Sequence, residues 1–133
     1  MRRPIFVCSL ALVLSLALLW AVPNAARADQ EIPVKGMVTM LELGADYCMP
    51  CRMMKPIVAE AKKEYQGRAA FVFVDVQENR LAAMAYGLRA IPTQIFFDKQ
   101  GKEAWRHEGY LSRENIDLVL AKLGVEKPKA ATK

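Results

Sequence analysis

The sequence predicts an α/β fold, a mixed central sheet with helices on both faces. Three observations lead there. Short apolar runs alternate with amphipathic stretches of helical period from residue 38 to residue 124. One run, Phe71-Val72-Phe73-Val74, is continuously apolar, the pattern of a parallel strand buried on both faces. Late in the chain, Asp98-Lys99-Gln100-Gly101 separates two strand-like segments as a hairpin turn does. A parallel unit followed by an antiparallel hairpin and a closing helix makes a mixed sheet, because the parallel crossover lays a helix on one face.

Taken in order, Val38 to Leu43 reads as a strand, with Thr39 and Glu42 interleaved among Val, Met and Leu. Cys51 to Tyr65 reads as a helix. Met53, Met54, Ile57, Val58 and Ala61 form its apolar stripe, and Lys62, Lys63 and Glu64 its wet face. Pro56 falls inside it and is expected to kink it; Gln66-Gly67 ends it. Ala69 to Val76 is the second strand and Asn79 to Tyr86 a short helix stopped by Gly87. Thr93 to Phe97 and Lys102 to His107 are the two arms of the hairpin. Ser112 caps a last helix with Ile116, Val119, Leu120 and Leu123 on one face and Gly124 as its stop.

The first residues have a different character. Met1-Arg2-Arg3 is basic, residues 5–22 are uncharged and rich in Leu, Ala and Val, and Ala26-Arg27-Ala28 is a small-x-small site before the polar Asp29-Gln30-Glu31. That order predicts a secretory signal peptide over residues 1–28, which takes Cys8 with it. The apolar stretch is also long enough to cross a bilayer, so an uncleaved membrane anchor is the rival reading. A single domain over residues 29–125 follows, then a polar, frayed tail over 126–133. The formal charge of +5 includes Arg2, Arg3 and Arg27 of the leader. The rest is nearly balanced, with no basic stripe interleaved with aromatics, which argues against nucleic acid as a partner.

Beyond the leader two cysteines remain, Cys48 and Cys51. Export would place them in an oxidising compartment. A disulfide between them closes a very small loop and constrains the unfolded chain little, so the pair is better explained by chemistry than by stability. They follow a strand and open a helix, where unpaired N–H groups and the positive end of the helix dipole favour a thiolate over a thiol. Arg52 adds to that field. Cys48, at the exposed tip before the helix, is the expected nucleophile. Cys51, one turn on and more buried, would resolve the mixed disulfide. Structural zinc is disfavoured, because beyond the leader only His107 could join the two cysteines as a ligand of the usual kind. Copper(I) is a better rival, since Met49, Met53 and Met54 put soft sulfur beside the thiols. Helix packing is the plainer account of Met53 and Met54. Met49, at the surface between the cysteines, suits substrate contact or tuning of the potential. His107, at the end of a hairpin strand, reads as a surface residue without a role.

The stretch Leu41-Glu42-Leu43-Gly44-Ala45-Asp46-Tyr47-Cys48-Met49-Pro50-Cys51-Arg52-Met53-Met54-Lys55-Pro56 resembles the active-site strand, cysteine pair and kinked helix of the thioredoxin family. Tyr86-Gly87-Leu88-Arg89-Ala90-Ile91-Pro92-Thr93 resembles that family's cis-proline loop, and Gly101, Gly109, Leu111 and Ser112 its final hairpin and helix. The resemblance spans about Val38 to Gly124. It implies that Pro92 is a cis proline facing the cysteines and that the backbone at Ile91 pairs with an extended substrate segment. Tyr47, Met49 and Pro50 would complete the substrate contact. It also implies that Glu42 is a buried acid beneath Cys51, its pKa raised by desolvation, which exchanges a proton with that thiol.

Departures from the family's pattern are Tyr47 for Trp, Met49 for Gly, and Phe71 where a Lys commonly partners the buried acid. The segment before Val38 is too short for the family's first strand and helix, so the sheet's N-terminal edge is expected to be shortened. Pro50 and Ile91 resemble reducing members. The expected function is therefore a periplasmic disulfide reductase, possessing no cofactor beyond the Cys48–Cys51 pair. It would be a monomer acting on protein disulfides, with cytochrome c maturation as a candidate process and a membrane thiol carrier as electron donor. A thiol oxidase or isomerase, or a copper(I) chaperone using the same cysteines, are the alternatives.

Overall fold

A computed structural model describes residues 31–128 of the chain. The expected signal peptide, its cleavage site and the last five residues of the tail lie outside the described residues. In chain order the elements are β1 (Val38–Gly44), α1 (Met49–Glu64), β2 (Ala69–Asp75), α2 (Arg80–Ala85), β3 (Thr93–Phe97), β4 (Glu103–Glu108) and α3 (Arg113–Lys122). The sheet order is β2-β1-β3-β4, with β1 parallel to β2 and antiparallel to β3, and β3 antiparallel to β4.

Every residue of β1 is buried, because it is central in the sheet and covered on both faces. Alternation along the strand divides the core. Val38 and Met40 pack with Met54, Ala61 and Tyr65 around α1 and with Ile116, Val119 and Leu120 of α3. Leu41 and Leu43 join Ile95 and Phe97 on the opposite face. There Tyr86, which closes α2, meets the Phe97 ring edge-on at 6.2 Å. The predicted mixed sheet with helices on both faces is the observed architecture.

Two details differ from expectation. β2 is not buried on both faces: Ala69 and Phe71 are buried, but Phe73 is 40% exposed. Among the described residues β2 is an edge strand, since only irregular chain precedes β1, and an edge strand carries less cover. The apolar stripe of α1 is also narrower than predicted. Met54 and Ala61 are buried and Ile57 and Val58 partly so, while Met53 is 51% exposed. It sits beside the stripe, not in it.

The ends of α3 follow from local chemistry. Ser112 Oγ accepts the Asn115 N–H at 3.4 Å. Gly124, at φ +80°, turns the chain so that its N–H and that of Val125 reach the carbonyls of Ala121 and Leu120. Just beyond, Lys127 pairs with Asp117 at 3.1 Å, so the first residues of the tail are tied to α3.

Candidate active site

β1 leads directly into the site. After Gly44 the chain turns through Ala45, Asp46 and Tyr47, and the Cys48 N–H donates to the Ala45 carbonyl at 3.1 Å. Cys48 is the N-cap of α1 in extended conformation, and its sulfur accepts the Cys51 N–H at 3.3 Å. The helix therefore begins at Met49, ahead of the expected Cys51. Pro50 falls in its first turn, where a missing N–H removes no helical bond. The two cysteines are joined as a disulfide with their Cα atoms 5.3 Å apart.

Cys51 is fully buried, and Cys48 is only 8% exposed. The expectation of Cys48 at an exposed tip is thus corrected. As a cap its side chain turns back into the first helical turn, and the exposure falls on Tyr47, Met49 and Pro50 instead. These three make an apolar rim around a recessed sulfur.

Gly44 shows how closely the helix approaches the strand. A Cβ at this position would lie 3.3 Å from Cys51 Sγ and 3.0 Å from Phe73 Cε2. Two residues earlier on the same face is Glu42, 2% exposed, with Oε1 lacking any hydrogen-bond partner. Desolvation pushes its pKa up to about 7, opposed by the positive charge of Lys55.

Lys55 was not singled out from the sequence. It stands one helical turn after Cys51, forms an ion pair with Asp46, and places Nζ 5.8 Å from the centre of the Phe73 ring. That ion pair holds the Asp46 carboxyl below its usual range. The cation near the buried acid therefore comes from the helix, not from β2. In the register of the sheet Phe71 lies opposite Met40, and Phe73 lies opposite Glu42.

The loop before β3 reaches the same end of the sheet. Thr93 pairs with Leu43, which sets Pro92 alongside Gly44 in register. The Ile91–Pro92 peptide bond is cis. The Pro92 carbonyl accepts the Gly109 N–H at 2.7 Å, and Thr93 Oγ1 donates to the Ala90 carbonyl at 2.7 Å, so the loop is held on both sides. His107 is half-buried, stacked against Trp105, with Nε2 3.1 Å from the Tyr110 carbonyl oxygen.

A disulfide-bonded cysteine pair at a helix start, a buried acid beneath its second member and a proline loop at the same sheet end are one arrangement. The sequence profile of the family described as "Thioredoxin" matches residues 22–122. The chain belongs to the thioredoxin family. Thioredoxin of Staphylococcus aureus is 33% identical over 102 residues, which cover 77% of this chain and 97% of that protein, in strain N315 as in strain MW2. Among solved structures, the exposed lipoprotein thioredoxin of Streptococcus pneumoniae superposes with a TM-score of 0.61 at 22% identity, over 66% of this chain and 86% of that one. A structure titled only as that of a malarial protein gives the same TM-score and identity over 65% and 96%. These structures share the fold. Family membership with the Cys48-Met-Pro-Cys51 pair makes the protein a thiol–disulfide oxidoreductase, and thioredoxin-family proteins act on protein disulfides.

Proposed function

We propose that this oxidoreductase is a disulfide reductase exported to the periplasm, with Cys48 as nucleophile, Cys51 as resolving thiol and Glu42 as the base that serves Cys51. The observation that carries the exchange chemistry is Glu42: a buried carboxyl with an unpartnered oxygen, on the strand face beneath Cys51, with a pKa of about 7. The reducing direction is read from Pro50 and Ile91, and export from residues 1–28. A reductase must release its substrate, and release requires that the resolving thiol lose its proton.

The reaction begins from the reduced pair. Cys48 as thiolate is favoured by the helix dipole and by the Cys51 N–H that its sulfur accepts. It attacks one sulfur of the substrate disulfide; the substrate's first thiolate leaves and takes a proton from water. Glu42 then accepts the Cys51 proton, and the Cys51 thiolate attacks Cys48 Sγ. The substrate's second thiolate leaves, and the enzyme is left as the Cys48–Cys51 disulfide. Two electrons pass from the protein dithiol to the substrate, and no resident cofactor takes part.

Substrate contact is assigned to the exposed rim of Tyr47, Met49 and Pro50 and to the Ile91 backbone, which an extended segment can pair with as an added strand. Pro92, lacking an N–H, leaves that pairing to Ile91. A monomer suffices for this chemistry. In the periplasm the spent disulfide needs electrons from a membrane thiol carrier. Substrates of fitting chemistry are apocytochrome c Cys-x-x-Cys-His segments or the cysteines of metal sites.

Export of a Cys51→Ser variant tests the mechanism. Periplasmic extracts should contain mixed disulfides on Cys48, and chains beginning at Asp29. Absence of any trapped partner sinks the exchange mechanism. A redox titration tests direction: a potential near the roughly −120 mV of strongly oxidising members, instead of the roughly −270 mV of reducing ones, overturns the reductase reading.

A further inference from the structure

One rung of side chains crosses the whole sheet. Phe73 of β2, Glu42 of β1, Gln94 of β3 and His107 of β4 are in register on the face that carries α1. Gln94 is fully buried. Its Nε2 donates to the Gly109 carbonyl at 3.1 Å and to Met54 Sδ at 3.2 Å. Those contacts use both N–H bonds of the amide. Because a carbonyl can only accept, they also settle which end of the amide is nitrogen. Gln94 Oε1 is left without a partner, and so is Oε1 of Glu42, the residue directly opposite.

Two buried acceptors on directly opposed residues cannot satisfy one another unless one of them carries a proton. We infer that Gln94 is a positioning residue for Glu42: its Oε1 accepts the O–H of the neutral acid and holds the proton that Glu42 has taken from Cys51. The inference rests on the role of Glu42 proposed above. It explains why a polar amide stands at a central, fully buried strand position. With its donors spent on Gly109 and Met54, Gln94 can offer the residue opposite only an acceptor, which disfavours the carboxylate and bonds the neutral acid.

The other groups around this pair are identifiable. α1 presents Cys51 and Lys55 to Glu42, and Lys55 is engaged by Asp46 of the preceding loop. β2 presents only the Phe73 ring at this rung, and β4 presents His107 to Gln94.

The experiment is an NMR titration of the oxidised protein, following the Glu42 carboxyl carbon and the Gln94 side-chain amide. In the wild type both signals should move with one midpoint, and the amide movement should vanish in Glu42→Gln. An amide signal that stays flat overturns the inference. So does one that still moves in Glu42→Gln, since its source would then lie elsewhere. Gln94→Leu keeps the volume and removes the acceptor, so the Glu42 midpoint should fall by about half a pH unit or more. An unchanged or higher midpoint in a folded variant overturns the inference; the wild-type amide titration decides if that variant does not fold. If Glu42→Gln exchanges disulfides at the wild-type rate, the service of Glu42 to Cys51 fails while the hydrogen bond to Gln94 stands.

Discussion

Position 42 holds a carboxyl where charge is least welcome, and its titration reaches beyond catalysis. The folded-state pKa of about 7 lies above the ordinary 4.5, so the native state binds the proton more tightly. The sign follows: stability is highest while Glu42 is neutral in both states and declines as pH rises from about 4.5 to about 7. At higher pH the buried charge costs about 3 kcal/mol. Glu42→Gln should therefore match the wild type in urea unfolding at acid pH and exceed it in stability at pH 8. The same variant should slow disulfide reduction near neutral pH by on the order of 10²-fold and flatten its pH profile, measured by turnover of a protein disulfide. Lys55→Met should move the Glu42 midpoint upward, because the cation favours the carboxylate. Loss of its solvent-exposed pair with Asp46 should change stability by no more than about 1 kcal/mol. Cys48, Cys51 and Glu42 were legible from spacing and resemblance. Lys55 and Gln94 were not. A lysine on a helix reads as surface, and a Gln in a strand gives no sign of its cross-strand neighbour until the register is known.

The strand–helix junction of β1 and α1 depends on having no side chain at Gly44. In Gly44→Ala the new methyl would meet Phe73 Cε2 and Cys51 Sγ. Phe73 is partly exposed and can swing aside; Cys51 is buried and held in the disulfide. The expected loss is about 1–3 kcal/mol, read from denaturant midpoints, together with a slower resolution step. Ser112→Ala removes the α3 cap and should lower stability by about 1 kcal/mol without altering exchange kinetics. Element type and order were readable because period 2 and period 3.6 differ clearly in these segments. α1 starts two residues before the position its sequence pattern predicts, because a cysteine does not announce itself as an N-cap. The exposure of Phe73 was missed for another reason: an apolar run looks the same in a central strand and in an edge strand.

For the whole molecule, redox state and folding form one thermodynamic cycle. A protein that reduces others holds its own disulfide as the favoured form, whereas a strong oxidant has a stabilised reduced form. Urea unfolding with and without reductant should therefore show the oxidised protein to be the more stable. A more stable reduced form would assign the protein to the oxidising class. The sheet layout supports the chemistry by burying both flanks of β1, so the acid and the second cysteine share one dry layer behind an accessible rim.

From its residues alone the chain specified an α/β order of elements, a cysteine pair opening a helix, a proline loop downstream and an acid on the strand before the pair. Periodicity and local chemistry are sufficient for these, since each is a relation between near neighbours in the chain. Tertiary structure decided the rest: which strand is the edge, that Cys48 turns inward, and that Phe73, Glu42, Gln94 and His107 share one rung. Those facts depend on register between strands far apart in sequence, where a shift of a single residue would send each side chain to the opposite face.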